Sequence, residues 1–128
     1  MSASPRVDAR VLDLLREAEE VEILTHRPAG GPRRTIIWVM VDEVGRVLLR
    51  SVRGPRGRWW QEAVADPRVT LVVDGLEVVA NALPADDPDR VGAASRELRR
   101  KYARHGASLV AMLRPDTLPT TLELVPRA

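Results

Sequence analysis

The chain contains no cysteine, which excludes disulfides, thiolate nucleophiles and thiolate metal sites and suits a reducing compartment. Aromatic residues make up only 3% of it, too few for a surface that stacks successive bases of a single strand. Lysine occurs once, at Lys101, so the basic residues are nearly all arginine. With abundant Ala, Val, Gly and Pro, that bias points to a GC-rich bacterial genome, and codon usage accounts for part of the arginine excess. The formal net charge is only +2, a weak field for a polyanionic partner. No apolar run approaches the roughly 20 residues of a membrane span. The opening stretch "MSASPRVDARVLDLL" lacks the basic start and apolar core of a signal peptide. One cytoplasmic domain over residues 1–128 is expected, with no nucleic-acid and no membrane partner.

What is present reads as alternating helix and strand. "VDARVLDLLREAEE" predicts an amphipathic helix capped by Asp8, with Val11, Leu12, Leu15 and Ala18 on one face. "EVEILTHR" (20–27) alternates as a half-wet strand, and "RPAGGPR" is turn chemistry. "RTIIWVMVD" (34–42) is apolar on both faces, as a central strand would be, with Trp38 in the core. "DEVGR" turns the chain and "RVLLRSV" (46–52) returns it as a hairpin. "RWWQEAVADP" predicts a short helix stopped by Pro67. "RVTLVVDGLEVVANAL" (68–83) is a hairpin about Asp74-Gly75. A helix follows with Asp87 as N-cap, Pro88 at its first position and Gly106 as terminator. "TTLELV" (120–125) closes as a sixth strand. Six mostly antiparallel strands with outlying helices predict a mainly β, α+β domain, a small Greek-key barrel or sandwich.

Committed catalytic side chains are scarce. His26 and His105 end a strand and a helix without metal-ligand spacing, and no metal is expected. The serines and threonines sit in no nucleophile motif. If the protein is an enzyme, a cofactor supplies the chemistry. The unusual stretch is "RSVRGPRGRWW" (50–60), four arginines among two glycines and a proline before a tryptophan pair. Its glycines let backbone N–H groups approach an anion, and a helix starting near Gly57 would aim its positive end there. Antiparallel pairing of the preceding hairpin would bring Arg34 and Thr35 near Ser51, Val52 and Arg53. A phosphate pocket of Arg34, Thr35, Arg53, Arg56 and Gly57 can be drawn from these residues. The plainer alternative is a solvated arginine loop.

These same segments carry a family resemblance. "RTIIWVMVDEVGRVLLRSVRGPRGRWWQEAVADPRVTLVV" resembles the pyridoxamine-phosphate-oxidase-like superfamily of flavin-binding split barrels. Arg34-Thr35, Gly54-Pro55-Arg56-Gly57 and Asp66-Pro67-Arg68 stand where that superfamily has its strand, loop and helix-end motifs. "GPRGRWWQEAVADPRVTL" is similar to the deazaflavin-dependent nitroreductase branch. "RELRRKYARHGASL" and "TTLELVPR" look most like the domain-of-unknown-function 2255 family within the group.

The resemblance implies a six-stranded antiparallel Greek-key split β-barrel. It implies a homodimer with FMN or a deazaflavin (coenzyme F420) at the subunit interface, and a small organic hydride acceptor. Arg34 and Thr35 become phosphate contacts, Arg56 the loop cation and Gly57 the close backbone approach, while Ser51 falls on the isoalloxazine side. Trp59 and Trp60 read as core or interface anchors, or as one packing inward and the other reaching the ring. Tyr102 is the one candidate proton donor. Three positions depart from the pattern: Val39 replaces a second strand cation, Asp66 an asparagine and Arg56 a lysine. The alternative is a non-catalytic split barrel holding another anionic ligand, haem through His26 or His105, or nothing.

Overall fold

The structure, a computed structural model, describes residues 7–127; the first six residues of the opening stretch and Ala128 lie outside them. Helix α1 (Ala9–Glu17) begins where Asp8 accepts the Arg10 N–H at 2.8 Å, which satisfies one of the free donors of a helix start. Seven strands follow: β1 (Val21–Thr25), β2 (Arg33–Ile37), β3 (Met40–Val41), β4 (Val47–Leu49), β5 (Arg68–Val73), β6 (Leu76–Pro84) and β7 (Leu122–Pro126). Helix α2 (Arg58–Ala65) lies between β4 and β5, and α3 (Pro88–Lys101) and α4 (Ala107–Met112) between β6 and β7.

All neighbours in the sheet are antiparallel, in the order β2-β1-β5-β6-β7-β4-β3. The mainly β, helix-flanked antiparallel split barrel expected from the sequence is therefore present, with seven strands rather than six. The extra strand comes from residues 34–42, which do not run as one central strand. They divide into β2 and β3, which lie at opposite edges of the sheet and are joined only by Trp38 and Val39. Two residues span too little distance to cross an open sheet, so the sheet must curl until its edges approach.

Curling gives each strand an inner and an outer face. Inside, Ile23, Leu71, Ala80 and Val47 pack with Leu15 of α1 and with Trp59 and Ala63 of α2. A second apolar cluster forms where α3 and α4 cover the other face of β3 and β4, with Met40 and Leu48 against Ala94, Leu98, Tyr102 and Met112. Strand β4 thus serves both cores, and the next residue on its α3-facing side is Arg50.

Local signals hold at the turns. Asp74 and Gly75 both adopt positive φ (50° and 76°), the pairing a tight two-residue hairpin requires. Asp87 caps α3 by accepting the Arg90 N–H at 3.1 Å, with Pro88 at the first helical position. Gly106 does not terminate that helix. The helix ends at Lys101, and Gly106 (φ 47°) instead precedes α4, an element the sequence reading lacked.

Candidate functional site

A cleft of about 440 Å³ opens where the two sheet edges meet the segment between β4 and α2. Its position follows from the fold: β2 ends there, β4 runs out there, and α2 starts there. Arg33, Thr35 and Ile37 of β2 and the adjoining Trp38 form one wall. Arg50 to Arg53 and Gly57 to Trp59 form another, and Ser108 and Met112 of α4 close the end. Four arginines (Arg33, Arg50, Arg53, Arg58) and one carboxylate (Glu20) line it, so its potential is positive.

Helix α2 has no side-chain cap. Gln61 is the first residue to bond back, to the Gly57 carbonyl at 3.0 Å, and the N–H groups of Arg58, Trp59 and Trp60 find no acceptor among the described residues. Uncapped donors at the positive end of a helix dipole form an anion-binding position. The loop before it is held rigidly. Ser51 donates its hydroxyl to the Gly54 carbonyl at 2.9 Å, and its N–H goes to Thr120 Oγ1 at 3.0 Å. A Cβ on Gly57 would lie 2.2 Å from Ser51 Oγ, so only glycine permits this closure. Gly54 sits at φ 63° with Asp116 packed against it, a conformation that favours glycine.

Of the residues singled out in the sequence, Thr35, Ser51, Arg53, Gly57 and Trp59 line the cleft. Arg34, Arg56 and Trp60 are not among its lining residues. Successive side chains on a strand point to opposite faces, so Arg33, not Arg34, shares the face of Thr35. Arg34 projects outward and pairs with Glu22 of β1 at 2.7 Å. The ladder expected to join Arg34 and Thr35 to residues 51–53 is absent: they pair with Leu24 and Ile23 of β1, and β3 and β4 pair over two residues only. Arg56 is solvent-exposed in the 3-10 turn of Gly54–Arg56. Trp60 packs against the inner core, its indole Nε1 buried without an acceptor among the described residues.

Trp38, expected in the core, lines the cleft and stacks face to face on Tyr102, with centroids 4.0 Å apart. Tyr102 itself is fully buried and does not line the cleft. Its hydroxyl donates to the Glu19 carbonyl at 2.7 Å and accepts the Val39 N–H at 3.2 Å. Burial pushes the phenol up to about 12, and the ring serves as the backing for Trp38. His26 is exposed at the end of β1, and His105 contacts Glu19 at 3.0 Å and tilts against Trp38. Neither histidine lines the cleft.

Three lining arginines escaped the sequence reading. Arg33 donates its Nε to both oxygens of Glu62 (2.8 and 2.9 Å), and Thr25 donates to the same carboxylate at 2.8 Å. That leaves the terminal nitrogens of Arg33 for the cleft. Arg58 occupies the first turn of α2. Arg50 is 1% exposed. The pleat of β2 was the signal for Arg33, whereas nothing local marks Arg50.

Comparison with known proteins places these features in a family. Residues 11–124 match the family described as "Uncharacterized protein conserved in bacteria (DUF2255)", and the chain belongs to it. No curated protein matches the chain. Among solved structures, it is similar to a protein of unknown function from Agrobacterium tumefaciens (TM-score 0.64, 17% identity, 99% of this chain and 58% of that one). It is also similar to a candidate pyridoxamine 5'-phosphate oxidase from Listeria innocua (TM-score 0.63, 12% identity, 93% and 92%). An F420-H2-dependent reductase gives a TM-score of 0.61 at 14% identity over 83% and 93%. The chain thus spans less than two thirds of the Agrobacterium protein. At such identities the likeness establishes the split-barrel fold alone.

Proposed function

We propose that this member of the DUF2255 family is a flavin- or deazaflavin-binding oxidoreductase that transfers hydride to a small organic substrate. The observation that carries the reading is the convergence of the uncapped start of α2 with Arg53 and Arg58 on one cleft. The donor set fits a phosphate: backbone N–H groups at a helix start, with guanidinium groups able to make paired charge-assisted bonds. The cleft volume lies in the range of about 300–1,000 Å³ usual for small-molecule sites. The similar structures named above, an F420-H2-dependent reductase among them, support the same ligand class.

In this reading Thr35, Arg53, Gly57 and Arg58 hold the phosphate, and Glu62 fixes Arg33 beside it. Arg33 and Arg58 take the places that the resemblance gave to Arg34 and Arg56. Trp38 and Trp59 flank the planar ring, and Ser51 fixes the loop that carries Gly57. Bound there, the ring supplies the hydride chemistry. Exposed Ile36 and Val52 at the cleft mouth (59% and 44%) suit coverage by a second copy of the chain, which would exclude water from the ring.

A second reading is a barrel that holds an anionic ligand without turning it over. The committed hydroxyl of Tyr102 favours it, because no other phenol is present. One experiment addresses both. Cofactor-free protein is titrated with FMN and separately with oxidised F420, following tryptophan fluorescence, since Trp38 and Trp59 line the cleft. Binding of one at an affinity on the order of micromolar is expected, with reduced cofactor then consumed in the presence of a hydride acceptor. Tight binding without turnover selects the second reading, and binding of neither overturns the first and leaves the second, with a ligand other than these cofactors.

A further inference from the structure

Arg50 is a buried cation that no carboxylate accompanies. Its Nε donates to Thr121 Oγ1 at 3.0 Å, one terminal nitrogen to Ser95 Oγ (3.0 Å) and the Met112 carbonyl (3.4 Å), and the other to the Val91 carbonyl (3.0 Å). All four acceptors are neutral, and no ion pair involves it among the described residues. The charged neighbour it feels is another cation, Arg99 of α3. Burial first, then Arg99, pushes the guanidinium down to about 10, still protonated at neutral pH.

A residue that only tied β4 to α3, α4 and β7 would not need a charge. Buried ions are costly, and apolar side chains of similar volume often serve a fold as well or better. Yet Arg50 lines the cleft, as do Ser108, Met112 and Trp38, and its bond to the Met112 carbonyl puts it at the α4 end. Arg53 and Arg58 lie further along the chain on the same wall, toward the α2 start, and Arg33 lies on the β2 wall. A single phosphate held at α2 leaves the charge of Arg50 unanswered.

We infer that the α4 end of the cleft is a second anion site centred on Arg50, and that it takes the carboxylate or comparable oxyanion of a small substrate. The anion lies beside Ser108, whose hydroxyl supplies a neutral donor, and Arg99 adds long-range attraction from the exposed side of α3. This names the substrate class of the oxidoreductase proposed above and rests on that reading for the word substrate. The anion site itself does not depend on any cofactor being bound.

The test uses the cofactor-free full chain and two probes of one shape, benzoate and neutral benzamide, followed by tryptophan fluorescence. Wild-type protein is expected to prefer benzoate by about tenfold or more. Arg50→Gln removes the preference, while Arg58→Ala, at the α2 end, keeps it. Inorganic phosphate and benzoate bind without displacing each other. Equal binding of the two probes by wild type overturns the inference. So does a preference that survives in folded Arg50→Gln, or competitive displacement of benzoate by phosphate. Should circular dichroism show Arg50→Gln unfolded, Arg99→Ala at its exposed position carries the arm. A preference reduced about threefold is then expected, as for a partly screened charge, and an unchanged one refutes the assignment. Failure to bind FMN and F420 would sink the oxidoreductase reading alone, because these titrations contain neither.

Discussion

Arginines in two regions of this molecule live under opposite conditions. Where the β3–β4 turn meets α3 and β7, Arg46 bridges Asp42 (2.6 Å) and Asp89 (2.8 Å), and Arg90 bridges Asp87 (2.6 Å) and Glu123 (3.0 Å). Around the cleft, Arg53, Arg56 and Arg58 have no carboxylate partner among the described residues, and Arg50 has only neutral acceptors. Paired guanidiniums fix a turn and a helix start. The exposed three, Arg53, Arg56 and Arg58, repel each other and contribute little to the fold when no anion is bound, whereas Arg50 ties β4 to its neighbours without a counter-charge. Arg33 stands between the two conditions, with its Nε on Glu62 and its remaining donors at the cleft. The contrast separates arginines whose charge the fold answers from arginines whose charge it leaves without a carboxylate, and the proposed ligand site draws on the second group.

The largest effect that would break this contrast is on affinity. Replacing both Arg53 and Arg58 by alanine should weaken the cofactor that the titration identifies by about 100-fold, since each charge-assisted bond is worth about 1.5–3 kcal/mol. The melting temperature should stay level or rise. Arg34→Ala, which loses only the outward pair with Glu22, should shift affinity by less than about threefold. A double variant that binds as wild type does would remove the loop from the site. Arg46→Ala should do the reverse. It leaves the buried carboxylate of Asp42 with only the N–H groups of Val44 and Arg46. Urea denaturation should show a loss of about 1–3 kcal/mol, below the full cost of breaking a buried pair because Arg46 is partly solvated. Cofactor affinity should not change.

How much of this could be read in advance depends on the range over which each feature is encoded. Asp8, the Asp74-Gly75 turn and the Asp87-Pro88 helix start act within a few residues, and each was legible. The division of residues 34–42 was not. Apolar residues on both faces describe a central strand and a strand crossing between the edges of a curled sheet equally well. The cleft was half legible for a related reason. Glycine spacing located the loop and the start of α2, but the choice between Arg33 and Arg34 rests on which face of β2 turns inward. That is set by pairing with β1, across the turn, where Arg33 meets Thr25 and Arg34 meets Leu24. Arg50 becomes notable only when α3 and α4 have covered it, and α4 itself was hidden behind a glycine that reads equally as a stop and as a start.

The smallest predicted effect concerns acid. Asp87 accepts the Arg90 backbone N–H and the Arg90 Nε, and these bonds, the backbone one first, hold its carboxyl below the ordinary value of 3.8. A carboxylate depressed in the folded state contributes stability that is fully present above its unfolded value. That stability is lost as the pH falls through the folded value. Asp87→Asn keeps a cap oxygen and removes the charge, so it should melt a few degrees below wild type near neutral pH. The gap should narrow as the pH falls below about 5 and on past 3.8, as wild type takes up its proton. The Arg53→Ala, Arg58→Ala protein should track wild type at a constant offset over the same range, because neither arginine shares a bond with a carboxylate among the described residues. Thermal melts from pH 7 to 3 read both. A gap for Asp87→Asn that widens in acid would mean the pair does not stabilise the folded state. An offset for the double variant that drifts with pH would mean the cleft arginines do answer to carboxylates of the fold, and the division between the two groups would fail.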